Sequence, residues 1–287
     1  IAVGARSVDS MTGKVSEFAA NAKVIHIDID PSSVKKSVHV DVPIIGDCSQ
    51  ILREMNAIVK APKIDEWVEK LMGLKEKNPL TYRDSDRVIK PQYVVEKIYE
   101  ITGGRAVITT EVGQNQMWAA QFYDYTEPRT FISSGGLGTM GYGFPAAIGA
   151  QLARPDRRVI DIAGDGSIQM NIQELIVAVQ HRLPIIIAIL NNGFLGMVRQ
   201  WQELFYEKRY SNTCMNFQPD FVKLAEAYGA AGMRISEKSE VEQALKMALS
   251  ITDKPIILDF QVDREENVYP MVPAGKSVKE MITVELV

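Results

Sequence analysis

The residues best suited to chemistry form two short clusters, and each cluster directly follows an apolar run of strand length. Residues 164–167 read Gly-Asp-Gly-Ser, and residues 191–192 read Asn-Asn. One helix and one strand fit between Asp165 and Asn192. Because the tips of neighbouring parallel strands meet at one edge of a sheet, we expect these two side chains to lie close together. A carboxylate and a carboxamide offer hard oxygen ligands, which suit Mg²⁺.

This arrangement predicts a magnesium ion that holds a diphosphate. The backbone carbonyl of Phe194 is the third predicted protein ligand, and two phosphate oxygens and a water would complete the octahedron that Mg²⁺ demands. Gly164 and Gly166 let the backbone approach an anion, and the Ser167 hydroxyl adds a donor. A structural alternative stays open, in which the acidic residue caps a helix and the two amides stabilise a turn.

The composition is that of a globular protein and argues against two classes of partner. Of the 287 residues, 46% are hydrophobic and 24% are charged, and the net charge is −4. No basic stripe runs along a predicted helix, so nucleic acid is not an expected partner. The longest apolar run, 183–190, is of strand length, so no membrane span is predicted. Cys48 and Cys214 lie in different segments, which predicts free thiols and a reducing, cytoplasmic location.

Three segments of the chain differ in pattern. Residues 1–60 predict short βα units that are too few to close a sheet, and we interpret them as the end of a domain. Residues 61–89 hold two prolines and a mixed charge run, which indicates one helix and a linker. Residues 90–287 alternate strands with helices. The chain begins with Ile1 rather than Met, so we expect it to be a piece of a longer protein.

The hydrophobic periodicity predicts an α/β fold with a doubly wound parallel sheet. Runs that predict strands lie at 1–3, 23–30, 105–110, 158–163, 184–190, around 233 and at 256–262. Segments that predict helices lie at 15–20, 49–59, 64–75, 92–101, 142–153, 171–181, 195–206, 219–228 and 240–251. Because strands and helices alternate with short turns, helices should cover both faces of the sheet, and ligands should bind at the carboxyl ends of its strands.

Four further segments, taken together with the two clusters, resemble one enzyme family. They are Gly-Gln-Asn-Gln-Met-Trp-Ala-Ala-Gln at 113–121, the glycine-rich 134–143, Gly-Met-Val-Arg-Gln-Trp at 196–201 and Pro-Met-Val-Pro at 270–273. The combination is similar to the large catalytic subunits of acetolactate synthases (acetohydroxyacid synthases), which depend on thiamine diphosphate. The resemblance implies the thiamine diphosphate-binding fold for 90–287 and the end of a Rossmann-like, FAD-binding central domain for 1–60.

The resemblance also implies roles for individual residues. Met140 would sit beneath the bent coenzyme and hold its two rings in a V, although Met also fills gaps in cores. Met197 and Trp201 share one helix face and would border the substrate channel, with core packing as the alternative. The family often has His at position 115, where the amide of this chain can still donate a hydrogen bond. The residues expected to bind the coenzyme are Gly113, Gln114, Asn115, Gly138, Met140, Gly164, Gly166, Ser167 and Met197.

The first 60 residues carry the resemblance to the FAD-binding domain. The residues expected near the flavin nucleotide are Gly4, Ala5, Arg6, Asp28, Gly46 and Asp47. A turn at the end of a strand is the alternative for Asp28. The chain reads Ser-Val-Asp-Ser at 7–10 where the family commonly has Phe-Asp-Asp-Arg. An acid and an arginine are lost there, so the retention of FAD is left open.

The activity that the resemblance implies uses small 2-keto acids. Pyruvate would be decarboxylated on thiamine diphosphate, and the hydroxyethyl unit would be condensed with a second pyruvate or 2-ketobutyrate in branched-chain amino acid biosynthesis. The family's general-acid glutamate belongs to a domain that these residues do not include, so we expect the chain alone to be inactive. A homodimer or tetramer with a regulatory small subunit is expected. The alternatives are another thiamine diphosphate-dependent 2-keto acid decarboxylase or carboligase, and a non-catalytic diphosphate-binding module.

Overall fold

The computed structural model describes residues 1–6 and 9–283, which form two units. The first unit comprises the described residues of 1–79 and 269–287, and the second unit comprises residues 80–268. The limits at 60 and 90 stay a prediction, since a compact unit within one chain is not by itself a domain that folds alone. The segment 61–79, predicted to be a helix and part of a linker, falls in the first unit.

A three-stranded parallel sheet, in the order β1-β2-β3, forms the centre of the first unit. Its elements are β1 (Ala2–Val3), α1 (Asp9–Thr12), β2 (Ile25–Asp28), β3 (Val42–Ile45), α2 (Cys48–Ile58) and α3 (Asp65–Lys77). Ile27 lies opposite both Val3 and Ile44, so the carboxyl ends of the three strands share one edge. The Asp47 carboxylate caps α2 by accepting the N–H of Gln50 at 3.1 Å.

The second unit contains a six-stranded parallel sheet in the order β5-β4-β6-β7-β9-β8. Its first half is made of α4 (Pro91–Thr102), β4 (Val107–Thr110), α5 (Gln114–Phe122), β5 (Phe131–Ser133), α6 (Gly143–Ala153) and β6 (Val159–Gly164). Its second half is made of α7 (Leu175–Gln180), β7 (Ile186–Asn191), α8 (Gly196–Phe205), α9 (Phe221–Tyr228), β8 (Ala231–Ile235), α10 (Val241–Ser250) and β9 (Ile256–Gln261).

Helices cover both faces of this sheet because the side chains of its buried strands alternate between two apolar clusters. On β7, Ile186, Ala188 and Leu190 pack in one cluster with buried residues of α4, α5 and α10. Ile187 and Ile189 of the same strand pack in the other cluster with buried residues of α6, α7 and α9. The predicted doubly wound α/β fold is thus confirmed.

The order of the strands also confirms that the polar clusters at 164–167 and 191–192 lie close together. β6 and β7 pair directly, with Gly164 opposite Leu190. Asp165 follows β6 and Asn192 follows β7, so both side chains lie at the same edge of the sheet. This edge carries the carboxyl ends of the strands, where ligands bind in open α/β sheets.

Several elements differ from the sequence-based expectations. α5 and β5 were not predicted, because α5 lacks a simple apolar stripe and β5 has only three partly exposed residues. The helix expected at 15–20 is a 3₁₀ turn at Val15–Glu17, since Ala19 adopts a positive φ of 50° that a helix cannot contain. The helix expected at 171–181 shortens to α7, and it is preceded by 3₁₀ turns at Ile168–Met170 and Ile172–Glu174.

The sequence predicts no membrane span, and the length and hydropathy of the helices bear on this prediction. Within residues 1–6 and 9–283, no helix combines the length and the apolar character that a bilayer crossing requires.

Candidate coenzyme and metal site

The carboxyl ends of β4, β6 and β7 border a cavity of about 210 Å³, here called the first cavity. All twelve residues of the predicted coenzyme and metal site line it, although their spread in sequence exceeds 80 positions. The predicted residues that line the first cavity are Gly113, Gln114, Asn115, Gly138, Met140, Gly164, Asp165, Gly166, Ser167, Asn192, Phe194 and Met197. Trp201 does not line it.

Asp165 contributes the ionisable side chain among the described residues that line the first cavity. Asp165 is only 1% exposed, and its Oδ2 has no hydrogen-bond partner among the described residues. Burial raises the pKa of Asp165 to about 7, the nearby Asp259 carboxylate adds to the rise, and the N–H groups of Gly193 and Gly166 oppose it. A buried oxygen without a partner is costly, and a bound cation would satisfy it.

The side chain of Asn192 is held in one orientation by its neighbours. Its Nδ2 donates to Gln114 Oε1 at 3.1 Å, and its Oδ1 accepts the N–H of Phe194 at 3.0 Å. Gln114 Nε2 in turn donates to Gln200 Oε1 at 2.9 Å. An amide oxygen can accept at two positions, so Asn192 Oδ1 can also serve as a ligand for a cation.

Sequence analysis did not identify Gln200 or Gly196 as contributors to this network. Gln200 is fully buried and accepts the N–H of Val268 at 2.8 Å while orienting Gln114. A Cβ atom at Gly196 would overlap Gln114 Oε1 and lie 2.7 Å from Asn192 Nδ2. A side chain at the start of α8 would therefore displace the amide ends of Gln114 and Asn192. The available signal was the segment 196–201, which contains both residues.

The donor set fits a magnesium diphosphate. Among residues 1–6 and 9–283, no group of three His, Cys, Asp or Glu side chains could hold a metal ion. A cation at Asp165 would therefore take one carboxylate and one amide from side chains, and it would need further oxygens from the backbone and from a ligand. The turn after β6 supplies Ser167, whose Oγ lies 3.2 Å from the backbone nitrogen of Gly164.

Asn115 lies in the first cavity but does not have the free donor that was expected of it. Its Nδ2 donates to the carbonyl oxygen of Glu111 at 3.1 Å and to that of Ile162 at 2.8 Å. Both hydrogens of the amide thus tie α5 to β6 and to the end of β4, and Asn115 as a residue that binds the coenzyme stays a prediction. Asn115 faces the first cavity as an anchor of the surrounding backbone.

Comparison with known proteins places the chain in a family. The family model "Thiamine pyrophosphate enzyme, C-terminal TPP binding domain" matches residues 111–260, and "Thiamine pyrophosphate enzyme, central domain" matches residues 1–55. The chain belongs to the thiamine pyrophosphate enzymes. The first match spans the candidate site from Gly113 to Trp201, and the second spans the predicted FAD residues.

Individual relatives of this thiamine pyrophosphate enzyme carry a more specific name. The chain is 46% identical to the "Acetolactate synthase large subunit" of Haemophilus influenzae over 98% of its length. It is 47% identical to the protein of that name from Corynebacterium glutamicum over 96% of its length, and 44% identical to the "Acetolactate synthase isozyme 3 large subunit" of Escherichia coli over 98%. The chain spans about half the length of these relatives, at 50%, 46% and 50%.

A second cavity of about 690 Å³ lies along α8 of this thiamine pyrophosphate enzyme. It is lined by Met197, Val198, Trp201, Gln202, Tyr206 and Arg209. Met197 and Val198 line the first cavity as well, so one turn of α8 borders both. Trp201 is 38% exposed and packs edge to face on Phe205 with 6.0 Å between the ring centroids, whereas Met197 packs against the core as the alternative predicts.

The predicted FAD residues gather at one edge of the first unit. Gly4 follows β1 and donates its N–H to Ile27 at 2.8 Å, while Gly46 follows β3 and donates to the carbonyl of Asp28 at 3.0 Å. Ala5 and Arg6 continue from Gly4, and Arg6 helps to line a third cavity of about 490 Å³. The other lining residues are Thr12, Val15, His26, Asp30, Ser32, Ser33, Lys35, Lys36, Ser37 and Val38.

Two of the residues expected near the flavin hold local turns of the first unit. Asp47 caps α2, so its carboxylate already has a structural task. Asp28 accepts the N–H of Asp30 at 2.9 Å, as the alternative of a strand-end turn predicts. Ser7 and Val8 lie outside the described residues, as do the side chains of residues 9 and 10. The question whether the segment 7–10 affects FAD retention therefore stays open.

Proposed function

We propose that this chain forms the thiamine diphosphate- and Mg²⁺-binding part of an acetolactate synthase catalytic subunit. The observation that carries the proposal is the Asp165 carboxylate, which is buried at a strand tip with one oxygen that lacks a described hydrogen-bond partner. Asn192 lies at the neighbouring tip with its amide held in one orientation. The family matches and the names of the relatives support the same class of enzyme.

The residues of the first cavity divide the binding task between them. Asp165, the Asn192 oxygen and the Phe194 carbonyl would hold Mg²⁺, while the backbone around Gly166 and the Ser167 hydroxyl would receive phosphate oxygens. When bound, thiamine diphosphate supplies the stabilisation of a carbanion that decarboxylation of a 2-keto acid requires. The protein contributes orientation and the exclusion of water.

Calorimetry with the 287-residue chain tests the coenzyme assignment. Thiamine diphosphate should bind in the presence of Mg²⁺, and ADP with Mg²⁺ should bind more weakly. Asp165→Asn and Asn192→Ala should each weaken coenzyme binding at least about tenfold, because each removes a ligand from a cation that bridges to the diphosphate. The control is Asp156→Asn, an exposed carboxylate outside the three cavities, which should bind as the unchanged chain does.

Two outcomes of this experiment would oppose the assignment. Unchanged coenzyme affinity in Asp165→Asn would remove the metal ligand on which it depends. Tighter binding of ADP than of thiamine diphosphate would favour a non-catalytic nucleotide-binding module.

The proposed substrates are small 2-keto acids that enter along α8. The second cavity offers an apolar wall with Trp201 and Tyr206, and it meets the first cavity at Met197. This arrangement supports delivery of a second keto acid to the coenzyme. Trp201→Leu, in the chain joined to the part of the Haemophilus influenzae relative that the match does not cover, should therefore change the ratio of the products formed from pyruvate and 2-ketobutyrate as second substrate. Coenzyme affinity measured by calorimetry should stay nearly unchanged.

Product analysis distinguishes the acetolactate synthase from its nearest alternatives. We expect the chain alone to form no acetolactate. Joined to the part of the Haemophilus influenzae relative that the match does not cover, it should convert pyruvate to 2-acetolactate. Acetaldehyde as the main product would favour a 2-keto acid decarboxylase, and measurable acetolactate from the chain alone would contradict the expected need for a further domain.

FAD is the less strongly supported cofactor. The third cavity supports a nucleotide diphosphate, since Arg6, Lys35 and Lys36 bring cationic groups and Ser32 brings a hydroxyl. Flavin fluorescence during titration of FAD measures this binding. Arg6→Gln should weaken it, and the exposed Lys60→Gln, which does not line the third cavity, is the control.

The proposed assembly is a homodimer or tetramer that also binds a regulatory small subunit. The relatives named "large subunit" support such a partner. Sedimentation of the joined protein, with and without the small subunit of the same relative, tests both points. A monomer that shows full activity would contradict the proposed oligomer. The cytoplasmic location stays a prediction.

A further inference from the structure

Glu111 is a buried acid that the proposed function does not use. It follows β4, is fully buried and points its carboxylate at the start of α6. Its Oε2 accepts the N–H of Gly141 at 2.6 Å, and its Oε1 accepts the N–H of Phe144 at 3.0 Å. The N-cap residue Tyr142 makes no side-chain capping bond, so an acid from a neighbouring strand satisfies the first N–H groups of α6.

The same hydrogen bonds fix the backbone next to Met140. The N–H of Gly141 belongs to the peptide that joins Met140 to Gly141. On the other side of this residue, Asn171 Nδ2 donates to the Gly141 carbonyl at 2.7 Å. A Cβ atom at Gly141 would lie 2.7 Å from Asn171 Nδ2 and 2.8 Å from the Cβ of Met170, and φ at Gly141 is 88°. Gly141 is thus clamped between an acceptor and a donor.

We propose that Glu111 is a positioning residue which, together with Asn171, sets how far the Met140 side chain enters the first cavity. Met140 lines this cavity and Glu111 does not, so the carboxylate acts through the Met140–Gly141 peptide rather than on the coenzyme. Asn171 directly follows the 3₁₀ turn Ile168–Met170, which continues from the Gly164–Ser167 turn. Glu111 and Asn171 together therefore fix the position of Met140 relative to the turn that would hold the diphosphate. This inference rests on the proposed function.

A carboxylate is needed at position 111 because the groups that it contacts at the start of α6 are all hydrogen-bond donors. The N–H groups of Gly141, Tyr142, Gly143 and Phe144 all stabilise its charged form against the effect of burial. Glutamine has the same shape but only one acceptor oxygen, so Glu111→Gln would turn an NH₂ group toward an N–H donor. The turn should then shift while the diphosphate ligands, which lie on β6 and β7, stay in place.

Methyl NMR of the chain labelled with ¹³C-methyl methionine tests the proposal without depending on activity. Met140→Leu assigns the Met140 resonance. Addition of thiamine diphosphate and Mg²⁺ to the unchanged chain should shift this resonance through the ring currents of the coenzyme. In Glu111→Gln the shift should be lost or much reduced, while the dissociation constant from calorimetry stays within about threefold of the unchanged value.

Asp161→Asn is the matched control, because Asp161 is equally buried beside Glu111 but accepts from Thr109 instead of the turn. In Asp161→Asn, the coenzyme should shift the Met140 methyl resonance as much as in the unchanged chain. Asn171→Ala is a second test if Glu111→Gln does not fold, and it should also lose the shift. An unchanged shift in either folded variant would overturn the inference. Absence of coenzyme binding by the unchanged chain would instead refute the proposed function.

Discussion

Glu111 and Asp161 form a pair of buried carboxyl groups with unequal numbers of hydrogen bonds. Burial raises the pKa of both, but four backbone N–H groups oppose the rise at Glu111. Asp161 accepts only the Thr109 hydroxyl, at 2.9 Å, and its Oδ2 has no partner among the described residues. The Glu111 charge raises the pKa of Asp161 further. Burial and the neighbouring Glu111 charge thus both raise the pKa of Asp161 above its usual range.

The raised pKa of Asp161 predicts how Asp161→Asn changes stability with pH. The pKa of Asp161 is raised on folding, so its contribution to stability is present below the unfolded value, near pH 4, and is lost as pH rises through the folded value. Asparagine takes up no proton on folding. Asp161→Asn should therefore be more stable than the unchanged chain at pH 8, with a smaller advantage at pH 5, as measured by urea unfolding. An advantage that shrinks with rising pH would contradict this.

Single residues were predictable where a general rule of the fold places them. Asp165 and Asn192 follow two consecutive apolar strands, and the βα connection makes such strands neighbours. The partners of Asn115, and the chain from Asn192 through Gln114 to Gln200, were not predictable. They depend on contacts between elements far apart in sequence, which no local pattern encodes.

At the scale of elements, substitutions at two glycines of α6 distinguish the effect of packing on stability from the effect of helix propensity. A Cβ atom at Gly143 would overlap the backbone of Thr110 and Glu111, whereas a Cβ atom at Gly149 would meet nothing within 4 Å. Gly143→Ala should cost about 1–3 kcal/mol of unfolding free energy through overpacking. Gly149→Ala in the same helix should gain about 0.5–1 kcal/mol. Guanidinium unfolding measures both, and equal effects would contradict the close approach of α6 to β4.

The elements that sequence analysis predicted best are those with an unambiguous pattern. β7 is a fully buried apolar run, and α4 begins with Pro91 at a position where a helix tolerates it. α5 was missed because its buried side chains include Gln114 and Asn115, whose burial is offset by hydrogen bonds to other elements. A polar residue of that kind looks exposed when only the sequence is considered.

At the scale of the whole chain, the two units differ greatly in how much apolar surface they bury. Among the described residues of the first unit, only Ile27 and Val40 are buried hydrophobic residues. α2 and α3 bury none, and α3 exposes Trp67, Leu71 and other apolar side chains. All remaining buried hydrophobic residues lie between Ile89 and Val268.

Hydrogen exchange should reflect this difference. Amides of β2 and β3 should exchange through openings of lower free energy than amides of β6, β7 and β9, because fewer buried contacts must be broken. Mass spectrometry of peptides from the two units measures the rates. Equal protection in both units would contradict the expectation.

Every residue that lines the first cavity belongs to residues 80–268. A molecule that occupies this cavity stabilises the folded second unit by an amount that grows with its concentration relative to its dissociation constant. If the first unit unfolds in an earlier step of its own, a thermal screen that follows only that step would miss even a tight ligand. A reporter dye attached within the second unit avoids this loss.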